Sequence, residues 1–380
     1  MDGPFDAALI DTNFDNTGSC VSWPALNIAP CNVALGGRGP VTIATGSYRF
    51  DTDRGMLADS ASTVTLPGAL VPQSNGGPMV RVVNASRLTI DAGATVTVVG
   101  SHPVIFVVHG DAAINGIIDA SAQVDGAGQR TAGPGGNDAS QCMTAIGKDG
   151  IDALVTGGAG GAGGGGYGAN GGNGGNGAGG AHGEHGRAVS DGMISPLRGG
   201  CHGGTGGKEF LGVGGHGGQP GDGGGAIEIT ALGQITINGT IRAGGSGGGV
   251  GGAGLALVSA GGGGGGSGGA IVLDGATSTV TAGGKLCANG GGGGEGGQTG
   301  MTSSPGLAAT CTTTPAAGGA TQADGGDGGA GGTSGDGANG KDGNNGAAGG
   351  GGGGSVGRIR VHGRSKAPMP GGLVSPPATP

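Results

Sequence analysis

The stretch "GANGGNGGNGAGGAHGEHG", residues 168–186, carries a glycine at every third position, and the register runs back one step to give Gly165, Gly168, Gly171, Gly174, Gly177, Gly180, Gly183 and Gly186. A chain that repeats every three residues has few conformations open to it. Collagen is one, but it needs three chains and frequent proline, and neither 165–186 nor 322–366 contains a proline. The better fit is the left-handed threefold helix built from glycine instead of proline, polyglycine II, with three residues per turn and a rise of about 3.1 Å each. Such a helix makes no hydrogen bonds within itself, so its N–H and C=O groups need partners on neighbouring helices. Ordering each backbone costs roughly 1–2 kcal/mol and one hydrogen bond returns about 0.5–1.5 kcal/mol, so a lone helix loses where a laterally bonded bundle approaches balance. The alternative is a set of flexible glycine loops.

The period recurs. Glycines stand at 200, 203 and 206, miss at Glu209, and resume from 212 to 224; a last register holds at 325, 328 and 331, misses at Ser334, and continues from 337 to 352. Within 168–186 the residues between the glycines segregate: one ridge reads Ala169, Gly172, Gly175, Ala178, Ala181, Glu184, and the other Asn170, Asn173, Asn176, Gly179, His182, His185. A small ridge beside a polar one suits a helix at the rim of a bundle.

With 108 glycines in 380 residues against one Trp, two Tyr and five Phe, ordinary core packing cannot extend throughout. The packed part reads as β. In "RLTIDAGATVTVV" (87–99) Leu88, Ile90, Val96 and Val98 alternate with threonines. A diverged repeat follows: "VIFVVHGDAAINGIIDA" (104–120), "AIEITALGQITINGTIRA" (226–243) and "AIVLDGATSTVTAGGKLCA" (270–288) each give three β-runs separated by glycine corners, and "VGRIRVHG" (356–363) opens one more unit. There Ile359 and Val361 point to a core while Arg358, Arg360 and His362 face solvent.

The expected fold class is all-β with essentially no α-helix: a β-solenoid, or alternatively a β-sandwich with hairpins at Asn115-Gly116 and Asn238-Gly239, carrying glycine-rich inserts at 121–225, 244–269 and 289–355 that form the bundle. Residues 1–80 form an N-terminal β-rich segment, 81–363 the repeat core, and 364–380 a proline-rich tail, disordered or a tether. Each insert leaves after the third run of a unit and returns at the first run of the next, so stacked units launch all inserts from one side.

The six cysteines fall as sequence neighbours, Cys20 with Cys31, Cys142 with Cys201 and Cys287 with Cys311. Disulfides pairing them would staple loop bases in an oxidising compartment; free buried thiols are the other reading. No basic segment followed by an apolar one opens the chain, and no apolar run can span a bilayer, so an exported protein of this sequence is expected to be the mature form with a start methionine added. Seventeen Lys and Arg against 25 Asp and Glu leave no footprint for nucleic acid or anionic membrane.

On these motifs, "GGAIEITALGQITINGTIRAGG", "GGAIVLDG" and "GGGGSVGRIRVHG" with glycine tracts between them, the chain resembles uncharacterised glycine-rich extracellular proteins of myxobacterial type over most of 40–363. The tracts alone resemble the polyglycine II bundles of snow flea antifreeze protein and of phage tail-fibre adhesin tips; mycobacterial PE-PGRS proteins are similar only in composition. The resemblance carries no catalytic residues.

Chemistry is sparse. His182, Glu184 and His185, with His202 and His216 further on, form the best metal candidate, but residues three apart on a threefold helix lie about 9 Å apart, too far for one ion, and polar rim residues are the expected role. Asp327, Asp336 and Asp342 lack the large apolar residue two places on that calcium-binding nonapeptides need. The triplet "GNGGNG" lies outside any strand–helix context for a nucleotide. The expectation is therefore a non-catalytic exported structural or adhesive protein with no cofactor, whose partners are cell-surface or matrix components or further copies of itself. Ice binding through a face of small residues such as Ala169, Ala178 and Ala181 is the runner-up. A polysaccharide-active enzyme using carboxylates such as Asp111 or Asp119 is third.

Overall fold

Within the repeated triplets, the corners between alternating runs place successive strands in different sheets. The structure, a computed structural model, describes residues 23–30, 39–153, 157–189, 194–209, 215–252, 258–321, 324–365 and 369–379. Strands β1 (Val41–Ile43) and β2 (Gly46–Asp51) are followed by three short antiparallel strands, β3 (Met56–Ala58), β4 (Thr63–Thr65) and β5 (Gly68–Val71). Two triplets follow directly: β6 (Val80–Ala85), β7 (Leu88–Ile90), β8 (Ala94–Val99), then β9 (Val104–Val108), β10 (Ala112–Ile114), β11 (Ile117–Asp119). The first insert opens with a small hairpin, β12 (Gln123–Val124) and β13 (Arg130–Thr131), and with α1 (Ala139–Cys142), the only helix among the described residues; β14 (Gly157–Gly158) lies beyond it. Then come β15 (Ala226–Ala231), β16 (Gln234–Ile237) and β17 (Thr240–Arg242); β18 (Val258–Ser259), which pairs with β14; β19 (Ala270–Gly275), β20 (Thr277–Val280) and β21 (Lys285–Cys287); and β22 (Arg358–Gly363), β23 (Met369–Pro370) and β24 (Leu373–Ser375).

Each triplet lays one strand in each of three sheets, ordered β1-β7-β10-β16-β20-β23, β24-β21-β17-β11-β8-β2-β3-β4 and β22-β19-β15-β9-β6-β5. Every triplet-to-triplet pairing is parallel and in register, so like residues stack in columns: Ile90, Ile114, Ile237 and Val280 in the first sheet, Val96, Ile118, Ile241 and Leu286 in the second. These columns form one continuous buried core running the length of the stack. The protein is thus all-β and almost without helix.

The two Asn-Gly pairs are corners, which corrects the hairpin alternative: β10 and β11, on either side of Asn115-Gly116, belong to different sheets and do not pair. Asn238 Nδ2 donates to Asn115 Oδ1 at 2.7 Å, so the corners stack as well. Glycine is required there by close approach, since a Cβ at Gly239 would stand 1.9 Å from the Gly116 carbonyl oxygen.

The inserts leave at β11, β17 and β21, adjacent in the second sheet, and return at β15, β19 and β22, adjacent in the third. Cys142–Cys201 and Cys287–Cys311 are disulfides with Cα separations of 5.6 and 5.2 Å; the first joins two points of the long insert, the second ties an insert to β21. Cys20 and Cys31 lie outside the described residues. Two expectations need correction. The outer face of the third sheet is covered rather than solvated, because Trp23, Ile28, Tyr167, Ile194 and Leu197 pack on Val82, Ile105, Val107 and Val272, and Arg358 stacks over the Tyr167 ring, 5.6 Å from its centroid, instead of facing water. Residues 369–379 are not a tether: β23 and β24 extend the first and second sheets, with the prolines at and beyond the strand ends where a missing N–H is tolerated.

Candidate functional site

In the straight parts of the inserts the backbone bonds sideways with a period of three. In the run 158–166, Gly160, Gly163 and Gly166 donate to Ile151, Lys148 and Ala145; Gly161 and Gly164 donate to Gly175 and Gly172; Ala159, Ala162 and Gly165 donate to Ser259, Gly262 and Gly265. Its carbonyls accept on the intervening sides. Gly161 and Gly164 accept from Gly183 and Gly186, Gly160 and Gly163 from Gly207 and Gly204, and Ala159, Ala162 and Gly165 from Gly349, Gly352 and Ser355. The runs 260–268 and 349–355 are bonded on all sides in the same manner. Close approach explains the composition: a Cβ at Gly163, Gly164 or Gly165 would lie 1.9, 2.0 or 2.2 Å from the carbonyl oxygens of Glu184, Gly353 and Cys201, three different neighbouring runs.

The unbroken register from Gly165 to Gly186 spans several runs rather than one helix. The chain bends at 167–169 and 178–180, and Gly171, Gly174 and Gly177 donate to Gly186, Gly183 and Gly180 of the antiparallel arm. Both arms meet through the same glycine ridge, so the period passes through the bends without a missed step.

At the rim, where a neighbouring run is lacking, side chains supply the acceptors. Asn170, Asn173 and Asn176 donate their N–H groups to Asp336 Oδ1, Asn339 Oδ1 and Asp342 Oδ1 at 2.8, 2.8 and 2.6 Å, while their own Oδ1 atoms accept from the N–H groups of Ala188, His185 and His182. Asp149 and Asp152 serve Thr205 and Lys208 likewise. The ladder predicts that Asn173→Ala lowers stability by roughly 1–2 kcal/mol, the net worth of the bonds its Oδ1 accepts from the His185 main chain and ring, whereas Asn173→Asp, which keeps the acceptor, leaves the melting temperature nearly unchanged; equal losses in both would refute the acceptor role.

The ladder also places the residues singled out for chemistry. His182 Nδ1 and His185 Nδ1 lie 2.9 and 2.7 Å from the Oδ1 atoms of Asn176 and Asn173. His202 Nδ1 is 2.6 Å from the Gly203 carbonyl oxygen. Asp327 pairs with Lys341 at 2.6 Å. Asp111 accepts from the Gln234 N–H at 2.8 Å, and Asp119 pairs with Arg242 at 3.5 Å, so both serve the stacking of turns. Among the described residues no group of three or more His, Cys, Asp or Glu is placed to hold a metal ion. Ala178 and Ala181 are exposed, but Glu184 and Arg187 continue their ridge, and Ala169 is half-buried.

Two further features were not legible in the sequence. A cleft of about 730 Å³ opens at the rim between the β12–β13 hairpin, the run 243–252 and residues 303–308. Val124, Val250 and Leu307 stand on its walls, all exposed although large and apolar. Arg130 closes one end: its Nε donates to the Gly247 carbonyl at 2.8 Å and its Nη1 to Gln219 Oε1 at 3.2 Å. Burial lowers the pKa of this guanidinium, and Asp222 partly opposes the shift.

The second is a polar cluster beneath Trp23 on the outer face of the third sheet. Trp23 Nε1 donates to Thr230 Oγ1 at 2.7 Å, and Asn27 Nδ2 donates to Glu228 Oε2 at 2.7 Å. Asp274 pairs with Arg364 at 2.6 Å and with His362 at 3.2 Å. Glu228 is wholly buried, and its Oε1 has no hydrogen-bond partner among the described residues. Burial pushes its carboxyl up to about 7, the Asn27 hydrogen bond and Arg360 opposing and Asp274 adding to the rise.

Compared with protein-family models, curated proteins and solved structures, the chain matches none. Among the described residues no helix is long and apolar enough to cross a membrane.

Proposed function

We propose that this is an exported, non-catalytic structural or adhesive surface protein, in which a β-solenoid holds up a polyglycine II bundle as a rigid platform. The observation that carries the reading is the run 158–166, which donates in three directions and accepts in the three between them. A bundle of that kind has little side-chain bulk and little freedom to deform, since each run is fixed by the backbones around it. Launching all inserts from one corner of the stack concentrates the platform on one side, and the two disulfides suit an oxidising compartment outside the cell. Likeness to glycine-rich extracellular proteins of myxobacterial type points the same way. Its partners on this reading are cell-surface or matrix components, or other copies of the chain.

The test is amide hydrogen exchange in the disulfide-intact protein. Amides of 160–166 and 349–355 should exchange as slowly as those of the buried strands β9 and β15. Exchange at the rate of an unstructured peptide would remove the platform and leave only the β-core.

A further inference from the structure

In the run 243–252 the N–H groups point three ways. Gly245, Gly248 and Gly251 donate to Asn289, Gly292 and Glu295; Ser246, Gly249 and Gly252 donate to Asp222, Gln219 and His216. The third direction is met only at its start, where Gly244 donates to the Ser121 hydroxyl at 3.0 Å. Gly247 and Val250 find no acceptor among the described residues, and both line the rim cleft. On the adjoining wall Gly306 donates to the Gly248 carbonyl, while its own carbonyl accepts from no described residue.

The cleft therefore has the form of an unfilled position in the bundle, with two main-chain donors three residues apart on one wall and a main-chain acceptor on the wall that adjoins it. In threefold geometry those donors repeat every 9 Å or so. A β-strand offers carbonyls on one side about every 7 Å, and an α-helix uses nearly all of its carbonyls internally; neither matches. Elsewhere on the rim the missing acceptors are supplied by Asn or Asp, as at Asn173 and Asp149. Here the walls carry Val124, Val250, Pro305 and Leu307 instead, which suits an occupant with apolar side chains.

We propose that this cleft binds an extended, proline- and glycine-rich peptide of three residues per turn, which joins the bundle as one more member. Its carbonyls at positions i and i+3 accept from Gly247 and Val250, one of its N–H groups donates to Gly306, and its prolyl and small side chains lie against Val124 and Leu307. Proline suits the positions whose N–H would meet an apolar wall or solvent, and its fixed φ holds the threefold form before binding, which lowers the ordering cost. The inference rests on the lateral hydrogen bonding and is independent of an adhesive role.

The experiment titrates the full-length, disulfide-intact protein into a fluorescein-labelled nonapeptide of Pro-Ala-Gly repeats and reads anisotropy, with an Ala/Glu/Lys helix-forming peptide of equal length as control. Val250→Pro deletes one donor while keeping a residue that accepts threefold geometry; Leu307→Asp, at an exposed position, removes an apolar wall. Saturable binding of the Pro-Ala-Gly peptide, weakened about fivefold or more by each variant, is expected. Binding no tighter than that of the control peptide, or unchanged in both variants, overturns the proposal. Should Val250→Pro fail to fold, Leu307→Asp carries the test alone. Bundle exchange in the unliganded protein is measured separately, so failure of the platform and failure of the cleft are distinguishable.

Discussion

Gly264→Ala should destabilise the protein by roughly 3 kcal/mol or more, although it adds a single methyl group. In most settings a glycine-to-alanine change at a compatible φ stabilises by about 0.4–1 kcal/mol, because it narrows the unfolded ensemble. Here the sign reverses. A Cβ at Gly264 would stand 1.9 Å from the Gly163 carbonyl oxygen and 2.6 Å from its carbon, both backbone atoms of a run that is itself fixed on every side. Overpacking a rigid interior costs typically about 1–3 kcal/mol. Moving the two runs apart would also loosen the bonds between them, which Ala162 and Gly165 donate to Gly262 and Gly265, each worth about 1 kcal/mol. Gly335 provides the control: it lies in the bend 333–335 of the last glycine-rich insert, and no heavy atom stands within 4 Å of its would-be Cβ. Gly335→Ala should be neutral or slightly stabilising. Unfolding followed by calorimetry and by fluorescence of the buried Trp23 checks both, and equal stabilities for the two variants would mean that the runs are not packed backbone to backbone.

That contrast explains which parts of the fold were legible. A residue that must leave room on a given side writes its requirement into the sequence at fixed spacing. So the alternation of Leu88 and Ile90 reads as a strand, and β7 is one; the glycine period leaves laterally bonded runs and flexible loops both open, because acceptors of 158–166 such as Gly262 and Gly265 lie on segments far along the chain. Bends at 167–169 and 178–180 left no trace, because both arms need the same glycine ridge and the register continues through them. The polar ridge of Asn170, Asn173 and Asn176 was visible, but its purpose depends on Asp336, Asn339 and Asp342, 166 residues away along the chain. Arg358 and Arg360 read as a solvated face because nothing local says that Tyr167 and residues 23–30 will cover that sheet. The cleft is more remote still. It is a position that no run fills, and it follows from which runs meet rather than from any residue pattern. In the C-terminal segment, prolines suggested disorder, yet Leu373, Val374 and Ser375 continue the register of Lys285, Leu286 and Cys287.

Glu228 should make the protein less stable as the pH rises from about 4.5 to about 7, and Glu228→Gln should abolish that part of the loss. The carboxyl stands in β15 on the covered face of the third sheet, accepts one hydrogen bond from Asn27, and holds its other oxygen unpaired. Burial favours the neutral acid, raising its pKa to about 7 from the ordinary 4.5; Asp274 adds to the rise, while the Asn27 bond and Arg360 oppose it. Between those two values the folded protein retains a proton that the unfolded chain has released, so the unfolded state binds fewer protons and stability falls with increasing pH. Below about 4.5 both states are protonated and the effect vanishes; above about 7 the full cost is present. At 1.36 kcal/mol per pKa unit the cost is on the order of 3 kcal/mol. Glutamine stays neutral and can still accept from Asn27, so the variant should match the parent at pH 4 and exceed it at pH 8. The readout is the difference between the two stability curves across pH 4 to 8, which cancels titrations shared by both proteins. Parallel curves would mean that Glu228 ionises as readily in the fold as outside it. A gap opening with pH would mean that the sheet holds a neutral acid beside Asn27, whose ionisation costs the fold stability that glutamine retains.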